Sequence, residues 1–126
     1  MTEHEDDFQI AIETGYIEGQ SEPAERRYVF AYKITITNRG KVSARLLNRH
    51  WIVTHGNGKS EEVRGKGVVG QQPRIAPGES FSYTSGAVIE SEVGAMQGSY
   101  EFETDSGDHF DVPIPPFTLS VPNALH

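Results

Sequence analysis

Gly65-Lys66-Gly67-Val68-Val69-Gly70 is the stretch whose residue types and spacing most suggest chemistry. A G-x-G-x-x-G run holds a pyrophosphate when it follows a strand and opens a helix. The glycines permit the tight turn, and the helix N-terminus faces the anion. Here Gln71-Gln72-Pro73 follows, and then Arg74-Ile75-Ala76-Pro77-Gly78. No helix runs through prolines at that spacing, so a dinucleotide-binding fold lacks its context. A non-helical nest of backbone N–H groups remains open to these residues. Gly65, Gly67 and Gly70 would shape it, and Arg64, Lys66 and Arg74 would add charge for a phosphate or pyrophosphate-type anion. Plain loop geometry is the competing reading of the same glycines.

The histidines offer a second chemistry. His50 and His55 fall in or just after one expected strand, and His109 falls in another beside Asp105, Asp108 and Asp111. Imidazole with carboxylate suits zinc, cobalt or nickel. No pair has the helical or short-loop spacing of a ligand set, and surface histidines with a hydrogen-bonded His50 explain the residues as well. Arg49-His50-Trp51 is a third candidate, as a surface recognition patch, because Arg and Trp are favoured at binding hot spots. Against that, sandwich folds usually bury one Trp. No G-x-S-x-G elbow occurs, and Cys is absent. Glu61-Glu62 and Glu101-x-Glu103 read as solvated strand faces or turns. The chain is therefore expected not to be an enzyme and to need no cofactor.

Short strands must position all of these residues. Phe8, Ile10 and Ile12 alternate with polar neighbours, as in a half-buried strand. Residues 28–38 give the clearest strand, with Tyr28, Phe30, Tyr32, Ile34 and Ile36 on one face. Residues 44–54 are apolar at both parities, which suggests a bulge. Asn57-Gly58 predicts a hairpin turn with both central positions free to take positive φ, and 60–64 return antiparallel. Residues 65–78 read as loop, 80–84 as a strand, 94–98 as a turn or bulged segment, and 99–104 as a strand. Residues 109–114 form a strand near an edge, because Pro113, Pro115 and Pro116 cannot donate to a ladder. No segment has helical periodicity. The expectation is an all-β antiparallel sandwich of the immunoglobulin or fibronectin type III-like kind, with about seven or more strands. Its core would be Tyr28, Phe30, Tyr32, Trp51, Phe81, Tyr83, Tyr100, Phe102 and Phe110.

Composition narrows the function classes. The chain has 126 residues and a net charge of −7, which predicts one domain and argues against general nucleic-acid affinity. Charge is uneven: from Arg39 to Arg74 there are eight Lys or Arg against two Glu. That asymmetry suggests an anion-facing side. No apolar run approaches the length of a membrane span. Absence of Cys fits a reducing, cytoplasmic setting. Residues 1–7 are expected to be an acidic flexible tail and 8–126 a single domain.

One resemblance is specific. Leu47-Asn48-Arg49-His50-Trp51-Ile52-Val53-Thr54 precedes Glu62-Val63-Arg64-Gly65-Lys66-Gly67-Val68-Val69-Gly70-Gln71-Gln72-Pro73. Pro77-Gly78, Phe81-Ser82-Tyr83-Thr84-Ser85-Gly86, Gly94-Ala95-Met96-Gln97-Gly98-Ser99-Tyr100 and Ile114-Pro115-Pro116-Phe117 follow. Together these segments strongly resemble the bacterial ApaG proteins, over about residues 8–122. The resemblance implies a fibronectin type III-like sandwich. It also implies a protein-interaction module, since the same domain has that role in some F-box proteins. Bacterial members are associated with dinucleoside-polyphosphate metabolism and with cobalt and magnesium handling. The leading expectation is a non-enzymatic protein binder, monomeric or homodimeric, using Arg49, His50, Arg64, Gly65, Lys66, Gly67, Gly70 and Arg74. The alternatives are a phosphate or nucleotide-anion binder through the 65–70 loop and a divalent-metal-handling accessory protein.

Overall fold

Eight strands alternate with turns along the chain: β1 (Phe8–Tyr16), β2 (Tyr28–Asn38), β3 (Ala44–His55), β4 (Ser60–Lys66), β5 (Arg74–Ile75), β6 (Ser80–Ile89), β7 (Val93–Thr104) and β8 (His109–Ser120). They are seen in a computed structural model, which describes residues 4–122. A three-stranded sheet has the order β1-β2-β6. The other sheet runs β4-β3-β7-β8, with β5 also pairing to β3. All pairings are antiparallel. The all-β sandwich expected from the period-two patterns is the fold.

The core lies between the sheets. Phe30, Ile34, Ile36, Leu46, Tyr100 and Phe102 are almost wholly buried there. Trp51 meets Tyr32, Phe117 and Tyr100 edge-on, at 5.4, 5.9 and 6.3 Å. Edge-to-face rings set positive edges on negative faces, which adds to area burial. Tyr28 and Phe81, expected in the core, are only partly buried and pack on its margin. The hydroxyls of Tyr83 and Tyr100 pair at 2.5 Å across the sheets. Burial raises both their pKa values well above the ordinary phenol range. Asn38 is fully buried. Its amide donates to Val42 O at 2.8 Å and Ile75 O at 3.0 Å, and its Oδ1 accepts from Gly40 N at 2.8 Å. A buried amide is tolerated because it is satisfied.

The bulge expected in β3 is present, and several other expectations are corrected. In β3 the register shifts between Leu46 and Asn48. The bulge lets Leu46 and Trp51 both point inward from opposite parities, which is why the sequence showed no single apolar face. Of the two readings of 94–98, the bulged segment holds and the turn does not: the residues lie inside β7, and a register shift against β8 falls between Met96 and Gly98. In the β3–β4 hairpin Gly58 has φ +90°, whereas Asn57 is not among the positive-φ residues. Asn57 Oδ1 instead accepts from Lys59 N at 3.0 Å. The acidic segment is structured from His4 onward. Glu5–Asp7 form a 3-10 turn, the His4 ring packs on Phe110 at 5.3 Å, and Arg39 N donates to Asp7 O at 2.7 Å. The rest of the expected tail, residues 1–3, lies outside the described residues.

Candidate functional site

The run Gly65-Lys66-Gly67-Val68-Val69-Gly70 is not one loop. Gly65 and Lys66 belong to β4. The N–H of Gly67 donates to Leu47 O at 2.7 Å. Val68 and Gln71 exchange two backbone hydrogen bonds, at 2.8 and 2.9 Å. Val69 and Gly70, at φ +43° and +80°, are the central residues of that tight turn. Both positive values match a type I′ hairpin turn. The amides of Gly67, Val68 and Gln71 are thus engaged within the chain, and the free N–H nest that a phosphate needs does not form from them. Gly65 has a separate reason: a Cβ there would lie 2.6 Å from the Arg49 guanidinium carbon. The bare backbone lets Arg49 lie across β4, where its Nη1 donates to Lys66 O at 3.1 Å and Gly67 O at 2.9 Å.

Arg74 does not converge with Arg64 and Lys66. It forms a two-pronged ion pair with Asp105, Nε to Oδ1 at 3.0 Å and Nη2 to Oδ2 at 2.5 Å. That hydrogen bonding raises the Arg74 pKa and lowers that of Asp105.

What the tertiary structure does bring together is a shallow depression of about 530 Å³, lined by Asn48, Arg49, His50, Arg64, Gly65, Ser99, Glu101 and Asp111. Most of these come from the outer face of the larger sheet, because strand registers place them in two rows. One row is Arg64, His50 and Ser99, and the other is Lys66, Asn48, Glu101 and Asp111. Asn48 Nδ2 donates to Glu101 Oε1 at 2.6 Å. The imidazole of His109 lies between two carboxylates, Nδ1 at 3.0 Å from Glu101 Oε2 and Nε2 at 3.1 Å from Glu103 Oε2. These hydrogen bonds, that of Glu101 first, raise the His109 pKa. Glu101 is lowered, chiefly by the Asn48 hydrogen bond and then by His109. His50 Nε2 sits 3.4 Å from Glu62 Oε1, but without hydrogen-bonding alignment. Arg64, Lys66 and Asp111 have no ion pair among the described residues. The depression therefore has a cationic β4 wall and an anionic β8 wall.

His55 stands apart from the other histidines, nearly fully buried. Its Nδ1 accepts from Glu90 N at 3.0 Å, so Nε2 carries the proton and donates to Glu61 Oε1 at 2.6 Å. A backbone N–H can only donate, which fixes the neutral tautomer. This histidine ties the end of β3 to the turn after β6. No group of three or more His, Cys, Asp or Glu with metal-holding spacing occurs among the described residues. The sequence pointed to Arg49, His50, Arg64 and Gly65, read Glu101 as part of a solvated strand face or turn, and did not single out Asn48 or Ser99. Their outward parity across the β3 bulge was the missing signal.

The architecture defines a class: a fibronectin type III-like sandwich with a polar depression on the outer face of its larger sheet. The family is defined as well. The chain belongs to the ApaG domain family, whose model matches residues 18–104. It is 54% identical to Protein ApaG of Nitrosomonas eutropha over 95% of this chain and 94% of that protein. It is 55% identical to Protein ApaG of Pseudomonas putida over 93% of each. A crystal structure described as an ApaA protein from Bordetella pertussis superposes with a TM-score of 0.90 at 45% identity, covering 94% of this chain and 96% of that one. An X-ray structure of a structural-genomics target reaches a TM-score of 0.92 at 45% identity, over 97% and 92% of the two chains.

Proposed function

We propose that this protein is a non-enzymatic interaction domain that docks a protein partner on the outer face of its larger sheet. The observation that supports this reading is the depression between Arg64 and Asp111, whose opposite charges have no ion partners among the described residues. Charges arranged in that way orient a partner and raise the rate of encounter more than they add affinity. Asn48, Ser99 and Glu101 line the depression, and His109 joins them through its hydrogen bond to Glu101. Ser99 faces His50 in register, but His50 Nε2 has no hydrogen bond among the described residues, so the nucleophile-and-base pairing of covalent catalysis is not made through it. Within the 65–70 run, internal hydrogen bonds take the amides of Gly67 and Val68, which counts against the anion alternative.

The test is capture of partners from native cell extract by the immobilised protein, beside Arg64→Glu and Asp111→Lys variants. The same proteins should be lost from both variants, and capture should weaken as salt rises. Undiminished capture by both variants would remove the depression from the interface.

A further inference from the structure

The two flanks of the sandwich differ. On one, β1 packs against β8, with Phe8 set on Phe102 and Phe110 at 4.7 and 5.7 Å. On the other, the edge strands β4 and β6 enclose a crevice of about 300 Å³. Tyr32, Trp51, Val53 and Met96 form its floor. Val63 and Val88 border its mouth, 42% and 48% exposed, and they are two of the four exposed large apolar side chains among the described residues. Along β3 the crevice runs from Arg49 to Val53, a rise of roughly 13 Å at the usual strand spacing.

Three groups here lack a counterpart among the described residues. Trp51 is 3% exposed, yet its indole Nε1–H has no acceptor among those residues. A buried donor without an acceptor is costly, so it marks a place where one is expected. Arg49 is two residues away on the same strand face. It donates only to the neutral carbonyls of Lys66 and Gly67, and no carboxylate pairs with it among the described residues. The free sides of β4 and β6 meet no further strand, and an open edge is a template for another chain.

We propose that this crevice binds an extended acidic segment of a partner polypeptide, added as a strand along β6. A carboxylate of the segment lies toward Arg49 and the Trp51 indole. An aliphatic side chain two positions away lies over Val63 and Val88. Residues two apart share a strand face and sit roughly 6.6 Å apart, which fits two side chains in this length. Glu61 also lines the crevice, at the Val53 end, where His55 Nε2 donates to it, so the cationic end is the one at Arg49. Charge complementarity at that end favours an acidic segment over a second copy paired β6 to β6, because Ser80–Ile89 contains no Asp or Glu. The site is separate from the outer-face depression, though Arg49 borders both.

Trp51 is the only tryptophan, so a single indole ¹H–¹⁵N resonance reports on the crevice floor. The experiment selects binders to the full chain from a displayed library of random hexapeptides, then titrates the best synthetic peptide into labelled protein. Expected are enrichment of Asp or Glu two positions from Val, Ile or Leu, and a saturable shift of the indole resonance. Val88→Glu should weaken binding at least tenfold, and Arg64→Glu should leave it unchanged. Val88 is half-exposed, so that variant keeps the fold. The proposal is overturned if no such motif is enriched or if the indole signal stays still. It is also overturned if sedimentation shows wild-type dimers that Val88→Glu dissociates, since the occupant would then be a second copy. Loss of peptide binding in Arg64→Glu would place the segment in the depression instead.

Discussion

His109 shows how position sets the chemistry of one residue. It lies half-exposed between Glu101 and Glu103, and both ring nitrogens donate only when the ring is charged. Its folded pKa is raised above the ordinary 6.5. The sign follows by linkage: the stabilisation is fully present below about 6.5 and is lost as pH rises through the raised folded value. For Glu101, whose pKa is lowered, the stabilisation holds above the ordinary carboxylate value and is lost as pH falls through the folded one. An NMR titration should place His109 above the ordinary histidine range, and Glu101→Gln should bring it down. An unchanged midpoint in Glu101→Gln would remove the hydrogen bond as the cause. Trp51 is the contrasting case, because its position makes it structural. Trp51→Ala should destabilise the fold by about 3 to 5 kcal/mol, the usual range for emptying a large aromatic site. Urea denaturation followed by circular dichroism reads the loss, and a parent-like midpoint would show that the ring contributes little to the core.

The element most altered by the structure is the end of β4 with its turn. Val69 is a β-branched residue at φ +43°, a conformation that is sterically disfavoured for it. Replacing it with Asn, which tolerates that region, should stabilise the protein by about 1 kcal/mol. Thermal unfolding at fixed protein concentration measures this, and a lowered midpoint would mean that the exposed Val69 side chain packs on something. The same turn engages the amides of Gly67, Val68 and Gln71. Calorimetric titration of pyrophosphate at low salt should therefore give no binding heat. A salt-sensitive heat that Lys66→Ala removes would restore the anion reading.

At the scale of the whole molecule, the sandwich has a sealed flank and an open one. Phe8 closes the first, 6% exposed against Phe102 and Phe110. Phe8→Ala should cost about 3 to 5 kcal/mol. Val88→Ser, on the open flank, should change stability by less than about 0.5 kcal/mol, as surface substitutions usually do. Equal losses by chemical denaturation would show that the two flanks are packed alike. Among the described residues no helix is long and apolar enough to cross a membrane.

The sequence by itself determined the strands, their antiparallel class and most of the core. Alternation such as Phe30, Tyr32, Ile34 and Ile36 has only one stable use, a face turned to an apolar interior. It also determined the family, through the segments around Trp51 and Tyr100. Which charged residues share a surface was decided only by tertiary structure. A bulge at Leu47 reverses the facing of everything after it in β3, and a one-residue shift moves side chains to the other face of a sheet. That step put Asn48 and His50 outside, Arg49 and Trp51 inside, and Asn48 opposite Glu101. The glycine run has two readings for a related reason. The pattern is the same whether glycines free their amides for a ligand or bend them onto neighbouring carbonyls. Only the position of Leu47 O, Gln71 O and the Arg49 guanidinium decided between the two.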